Sequence, residues 1–384
     1  WLSDISEDGA LCEPQLIAGG DDVSTFQPQW SPDDILHYIS DDTGWWQLYR
    51  HVEHESTPHN QLLCSEKKEF GLPQWVFAQS TYAFIDNATL ICSYRSQGTT
   101  YLATLRIDTS DATSSELTTI ETQWHDFNSI NAVPASGKIN SFCFIAASDE
   151  SFPQLFHASL DPGSAAENNT DRISSRLIQS STTLPVTQQN YSKPRTMTFC
   201  NRHGREVHAN YYPPANPNFR AEKDKLPPLI TICHGGPTGQ STIALDPKKQ
   251  FWTSRGFALL DVNYSGSTGY GRAYRSRLDG KWGILDVEDV CDAALYAVSN
   301  GLANRDQLII RGSSAGGYTV LAALTFEQVF SAGASYYGIS DLSSLADDTH
   351  KFEKHYTDRL VGPYPETSKI YQQRSPIKHT EQLN

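Results

Sequence analysis

The sequence predicts two architectures in series: a repetitive all-β half, then a doubly wound α/β half. Three observations predict this. Short alternating apolar runs between turn clusters fill residues 1 to about 185, the pattern of many short strands. A Pro-Gln-Trp signature recurs there, as Pro28-Gln29-Trp30 and Pro73-Gln74-Trp75. Beyond residue 190 the pattern changes to continuous apolar runs alternating with helix-like stretches, one of them opening on Gly312-Ser313-Ser314-Ala315-Gly316.

In the first half, strands are expected at Ile35–Ser40, Thr81–Ile85, Thr89–Tyr94 and Ser141–Ile145. Trp30 and Trp75 of the repeated signature stand 45 residues apart. The first copy runs on through Ser31-Pro32-Asp33-Asp34, a strand, a turn at Ser40–Gly44 and Gln47-Leu48-Tyr49. A third copy is expected from near Phe127 to Gln154-Leu155-Phe156-His157. A period of ~40–50 residues with four strands per unit is that of β-propeller blades. About three blades fit, where a closed ring needs ~4–8, so the expectation is a partial β-propeller with further blades ahead of Trp1. Trp1–Gly20 would be the tail of one of them. An open β-sandwich is the alternative. Trp30, Trp45, Trp46, Trp75 and Trp124 are expected in blade cores. The Ser-, Thr-, Asn- and Asp-rich stretch Leu160–Leu184 reads as a loop or blade closure, and Tyr191-Ser192-Lys193-Pro194 as the boundary, giving domains 1–190 and 191–384.

In the second half, Arg195–Phe199 and Val207–Tyr212 read as an antiparallel pair turning at His203-Gly204. Leu229–Cys233 is apolar throughout, as a strand buried on both faces must be. A helix ending at Gly256 leads to the strand Phe257–Val262. Asp286 is expected to cap a helix that buries Val287, Val290, Cys291, Ala294, Leu295 and Val298 and ends at Asn300-Gly301. The strand Gln307–Arg311, a helix and the strand Ser331–Tyr336 complete a sheet with right-handed crossovers.

Between the last strand pair, Gly312-Ser313-Ser314-Ala315-Gly316 has the form G-x-S-x-G after a strand and before a helix. A serine on so tight a turn needs neighbours without bulk, which Gly312, Gly316, Ala315 and Gly317 provide. Ser314 would then stand at a helix N-terminus, where free N–H groups favour negative charge. Two loops at carboxyl ends of strands accompany it. His234-Gly235-Gly236-Pro237 suits an oxyanion loop. Asn263–Arg272 is glycine-rich, but its glycines lack G-x-G-x-x-G spacing and no helix is expected at once, so phosphate binding is not expected.

A net charge of −14 argues against nucleic acid or an anionic membrane as partner. No apolar run nears the ~20 residues of a membrane span. The 7 cysteines have no metal-type spacing, and several sit in apolar runs, as at Phe142-Cys143-Phe144. They read as core residues of a protein in a reducing compartment, hence cytoplasmic. His51, Glu53 and His54 have no recognisable metal-ligand spacing, so no metal is expected.

Four motifs in order resemble the prolyl oligopeptidase family of serine peptidases, most of all its acylaminoacyl-peptidase and dipeptidyl-peptidase branch. They are His234–Pro237, Val262–Gly271, Trp282-Gly283 with Asp286–Asp289, and Gly312–Tyr318. The resemblance implies a propeller that restricts substrates to short peptides, followed by an α/β-hydrolase domain that uses no cofactor. It implies Ser314 as nucleophile, with the Ala315 N–H and the Tyr270 hydroxyl as oxyanion donors and His234, Gly235 and Gly236 shaping the oxyanion loop. Phe352 and Tyr356 resemble the aromatic segment lining the pocket for the residue before the scissile bond; ordinary helix packing is the alternative. In this family the acid and histidine follow the serine in the order Ser…Asp…His. They are expected beyond Asn384, so the chain is expected to lack the last strands and to be inactive by itself. Asp341, Asp347 or Asp348 with His350, His355 or His379 are the internal alternatives. A carboxylesterase and a non-catalytic propeller module remain rival readings, and association into a homo-oligomer is left open.

Overall fold

A computed structural model describes residues 1–53, 58–108, 115–135, 138–161, 172–182 and 191–383. His54 and parts of the Ser-rich stretch, 162–171 and 183–184, lie outside the described residues. Two compact units form, Trp1–Ser148 with Pro153–Ser181, and Asp149–Phe152 with Thr182–Asn384.

The first unit holds three four-stranded sheets, with neighbouring strands consecutive in sequence. They are β1 to β4 (Thr25–Trp30, Leu36–Ser40, Gln47–Val52, His59–Leu62), β5 to β8 (Tyr82–Phe84, Thr89–Ser96, Thr99–Arg106, Glu116–Ile120) and β9 to β12 (Asp126–Ala135, Lys138–Ser148, Ser151–Leu160, Ile173–Ser180). Strand alternation explains why the middle sheet reads as apolar throughout. Tyr82, Phe84, Leu90 and Leu105 pack toward Ile39, Trp46 and Leu48 of the first sheet. Ala83, Ile91 and Leu102 pack toward Phe127, Phe142 and Phe144 of the third. The Ser-rich stretch contributes β12, the outer strand of the third sheet.

Two expectations about the repeat are corrected. The second strands of the three sheets begin at Leu36, Thr89 and Lys138, 53 and 49 residues apart rather than 45. Pro28-Gln29-Trp30 lies in β1, but Pro73-Gln74-Trp75 lies in an irregular turn ahead of β5, so the signature does not mark equivalent positions. The tryptophans part company for the same reason. Trp46 and Trp124 are core residues at 2% and 7% exposure, while Trp30 and Trp75 are 55% and 41% exposed.

The second unit is built on a six-stranded sheet ordered β13-β14-β16-β15-β17-β18. Its strands are Arg195–Cys200 (β13), Glu206–Tyr212 (β14), Leu229–Cys233 (β15), Ala258–Asn263 (β16), Leu308–Ser313 (β17) and Ala332–Tyr336 (β18). β13, β14 and β16 pair antiparallel, and β16, β15, β17 and β18 run parallel. Helices α1 to α7 are Pro247–Thr253, Arg272–Arg275, Leu285–Ser299, Ala315–Phe326, Leu342–Asp347, Tyr356–Leu360 and Ser368–Arg374. One large core joins the sheet to α3 and α4 through Val262, Leu308, Ile310, Val290, Ala294, Tyr318 and Val320. Two local expectations fail. Asp286 is not the cap of α3 but lies in its first turn, because its carboxylate turns back to accept the Gly283 N–H at 2.6 Å. A helix does follow the glycine-rich loop at once, the single turn α2, entered through Gly271 at φ +86°.

Candidate functional site

Ser314 projects from the junction of β17 and α4 with φ +55° and ψ −124°, a region L-residues almost never occupy. It is exposed while the six residues after it, Ala315 to Val320, are buried. Its N–H donates to Tyr336 O at 3.1 Å, and its carbonyl accepts the first helical bond of α4, from the Tyr318 N–H at 3.0 Å. Among the described residues the Ala315 N–H meets no acceptor, as expected at the head of a helix.

The glycines here are needed for space. A Cβ on Gly316 would stand 2.6 Å from His234 O and closer still to Cys233 O. One on Gly317 would stand 2.7 Å from Gly338 Cα. The elbow therefore rests backbone-to-backbone on the end of β15 and on the loop after it. Gly235 of that loop lies so close that a Cβ on it would stand 3.3 Å from Ser313 O and 3.7 Å from Ser314 Cβ.

The loop from His234 is tied from several sides. The His234 ring is half-buried, stacks on Tyr264 with centroids 4.3 Å apart, and meets Gly235 O at 2.9 Å and Ser267 Oγ at 2.8 Å through its two nitrogens. Burial holds its pKa below the ordinary 6.5, so the ring is neutral at pH 7. Tyr264 Oη donates to His234 O at 2.8 Å. Tyr356 reaches in from the start of α6, donating to Gly236 O at 2.9 Å and meeting Thr238 Oγ1 at 2.6 Å. Burial pushes the Tyr356 pKa up to about 12.

The second loop follows β16, the strand beside β15. Thr268 binds it to the first loop, its N–H donating to Gly239 O at 2.9 Å and its Oγ1 to Thr238 O at 2.6 Å. Tyr270 stacks flat on His208 with centroids 4.2 Å apart and planes 5° from parallel. Asn263 Nδ2 donates to Tyr270 Oη at 3.0 Å. Ser314, the His234 loop and the Tyr270 loop thus all lie at the carboxyl ends of three adjacent parallel strands, β17, β15 and β16, where open α/β sheets carry their ligands.

Two buried carboxylates, Asp286 and Asp289, support this surface from below; the sequence marked both as part of a motif and Asp286 as a cap, but not their burial. Asp286 accepts from Thr319 Oγ1 at 2.7 Å as well as from the Gly283 N–H, joining the start of α3 to the first turns of α4. Burial lifts its pKa from the ordinary 3.8 to about 6, against those hydrogen bonds. Asp289 accepts from Asn201 Nδ2 and from the Ser265 N–H, both at 2.7 Å, and holds the start of the Tyr270 loop. The available signal was two acids three residues apart among the apolar residues of one helix face.

The other expected residues have varied surroundings. Phe352 is 69% exposed. Tyr356 is in contact with the His234 loop through its hydroxyl. Asp341 caps α5 and pairs with Lys378, and Asp347 meets Tyr364 Oη. Asp348 is the C-cap of α5. His350 pairs with Glu353 and His355 with Asp358, each three residues on. His379 packs on Phe326, at the far end of α4 from Ser314, about 18 Å along a helix rising 1.5 Å per residue. None of these groups hydrogen-bonds Ser314. Among the described residues no group of histidine, cysteine and carboxylate side chains could hold a metal ion. No described helix is long and apolar enough to cross a membrane.

Residues 244–384 match the family described as the prolyl oligopeptidase family. The dipeptidyl aminopeptidase BIII of Pseudoxanthomonas mexicana is 31% identical over 175 residues, 44% of this chain and 25% of that protein. The acylamino-acid-releasing enzyme of Arabidopsis thaliana is 31% identical over 173 residues, 42% of this chain and 22% of that protein. A solved puromycin hydrolase superposes on 100% of this chain with a TM-score of 0.88 and 34% identity. The chain spans 55% of that hydrolase's length.

Proposed function

We propose, proceeding from the membership of residues 244–384 in the prolyl oligopeptidase family, that this chain carries the nucleophile and oxyanion site of a serine peptidase. Its substrates are short peptides, cleaved near the amino terminus to release a dipeptide or an acylated amino acid. The observation that carries the reading is the backbone of Ser314, held at φ +55° on a strand-to-helix turn with its side chain exposed. Strain of this kind persists only where the surroundings enforce it, and here the glycine contacts with the His234 loop do so.

In this reading Ser314 Oγ attacks the peptide carbonyl and forms an acyl-enzyme, and the amine leaves with a proton. The negative oxygen of the tetrahedral intermediate is received by the Ala315 N–H and the Tyr270 hydroxyl, each contributing ~3 kcal/mol. The loop of His234, Gly235 and Gly236 shapes the wall beside them. Tyr356 acts through that loop, holding Gly236 and Thr238. Phe352 remains the candidate for contact with the residue before the scissile bond. The three four-stranded sheets are consecutive propeller blades, and the seven free cysteines, four of them buried, suit a reducing, cytoplasmic setting.

The test is turnover of dipeptidyl, acyl-alanyl and aminoacyl p-nitroanilides by the full-length protein, together with labelling by a fluorophosphonate. Amide hydrolysis and labelling that both vanish in Ser314→Ala are expected. An unlabelled Ser314, or turnover of esters with none of amides, overturns the proposal.

A further inference from the structure

We infer that His234 is a positioning residue: as the tautomer with its proton on Nδ1, it locks the plane of the Gly235–Gly236 peptide beside Ser314. This rests on the reading of Ser314 as nucleophile and goes one step behind it, to what holds the wall next to the elbow.

A peptide between two glycines has no preferred face of its own. Turning it over changes only the ψ of the first residue and the φ of the second, each by about 180°, and glycine accepts φ of either sign. Gly236 stands at φ 121°, and the flip would bring it to an ordinary negative value. The face observed is therefore set by a contact outside the backbone. That contact is His234 Nδ1, 2.9 Å from Gly235 O. Gly239 leaves room for the carbonyl, since a Cβ there would stand 2.5 Å from Gly235 O.

The proton must sit on Nδ1. A carbonyl oxygen only accepts, and a lone pair on Nδ1 would face its lone pairs at that distance. Nε2 meets Ser267 Oγ at 2.8 Å, and the Ser267 hydroxyl can supply the proton this nitrogen lacks. The same hydroxyl lies 2.7 Å from Tyr264 O, which also accepts the Ser267 N–H at 3.0 Å and so does not depend on it. The ring is gripped from its face as well. Tyr264 lies against it with planes 12° apart, and the Tyr264 hydroxyl donates to His234 O.

The consequence for the reaction is electrostatic. The two ends of a peptide group point opposite ways, so a Gly235 carbonyl turned to His234 leaves the Gly236 N–H facing away from the ring. Among the described residues that N–H meets no acceptor. Gly235 borders the elbow, its Cβ position lying 3.7 Å from Ser314 Cβ. A flip would therefore reverse a peptide dipole in the wall next to the nucleophile, where negative charge develops during acyl transfer.

The test uses the full-length protein and the rate at which a fluorophosphonate labels Ser314. Asparagine can place an N–H where His234 has Nδ1, and glutamine where it has Nε2. His234→Ala and His234→Gln are each expected to slow labelling by on the order of 10², the cost of a misplaced wall. His234→Asn should recover most of that loss and remain within about 10-fold of wild type. If His234 only tied the two loops together, glutamine, which keeps the Ser267 contact, would recover the rate and asparagine would not. That result overturns the inference, as do three variants that label alike. Should a variant fail to fold by circular dichroism, a long-range nitrogen–proton correlation spectrum of wild type, isotopically labelled at the histidine nitrogens, decides. The His234 ring, assigned by its proximity to the Tyr264 ring, is expected to be neutral with its proton on Nδ1. A proton on Nε2 alone overturns the lock. A wild type that takes no label at Ser314 overturns the nucleophile reading, and the histidine spectrum then still judges the lock.

Discussion

Replacing Ser314 by glycine is expected to make the protein harder to melt. The perturbation removes one Cβ and one hydroxyl from an exposed position whose hydroxyl makes no hydrogen bond among the described residues. What remains is the backbone at φ +55° and ψ −124°. Holding a residue with a Cβ there costs about 1–3 kcal/mol, a cost glycine does not bear. Glycine in turn loosens the unfolded chain by about 0.4–1 kcal/mol. The difference is a net stabilisation of about 0.5–2 kcal/mol. For a unit of about 200 residues, each kcal/mol moves the melting temperature by about 2–4 °C, so the expected rise is about 1–8 °C. Scanning calorimetry of wild type, Ser314→Ala and Ser314→Gly measures it. Alanine keeps the Cβ and should melt with the wild type, which separates backbone strain from loss of the hydroxyl. A glycine variant melting at or below the alanine variant would show that the elbow is not strained and would remove the main support for Ser314 as nucleophile.

Gly316→Ala brings a Cβ against the Cys233 and His234 carbonyls, which are backbone and cannot swing aside. A loss of about 1–3 kcal/mol is expected, read as a fall in urea midpoint, and a midpoint equal to wild type would refute the close packing. Asp286→Asn tests the buried carboxyl. Its folded pKa of about 6 lies above the 3.8 of the unfolded chain, so ionisation opposes folding; the handicap is absent well below pH 4, grows as pH rises toward 6 and levels off at about 3 kcal/mol above it. Asparagine has the same shape and no charge, so the melting temperature of Asp286→Asn relative to wild type should rise between pH 4 and pH 7; a constant offset contradicts the assignment. Tyr356→Phe removes the hydroxyl that meets Gly236 O and Thr238 Oγ1. A loss of about 1–3 kcal/mol is expected, with faster amide hydrogen exchange across residues 236–239, and unchanged exchange there would mean the loop needs no such tie.

The second half was legible in the sequence almost strand by strand, because parallel strands buried on both faces must be apolar throughout and the turns between them must carry small residues. Leu229–Cys233 emerged with the boundaries its composition suggested. The first half was legible in kind and misread in register. Pro73-Gln74-Trp75 copies the residues of β1 without copying their place, since a three-residue signature constrains a turn as well as a strand. Trp30 and Trp46 look alike in sequence, yet burial depends on which face of a strand meets the next sheet, a fact of packing. In the site, Ser314 and the His234 loop announced themselves through glycine. The burial of Asn263, Asp286 and Asp289 did not announce itself, because a polar residue at the end of a strand or near the start of a helix usually faces water. Only the fold brings Asn201 within 2.7 Å of Asp289, 88 residues away.

The bonds from Thr268 to Gly239 and Thr238 make two loops from different strands into a single rigid plate. Drift at residue 238 or 239 would be transmitted to the neighbourhood of residue 270 before it reached solvent. A lineage exploring new specificities is therefore steered toward paired changes across the plate, or toward segments outside it, and single changes within it should be purged.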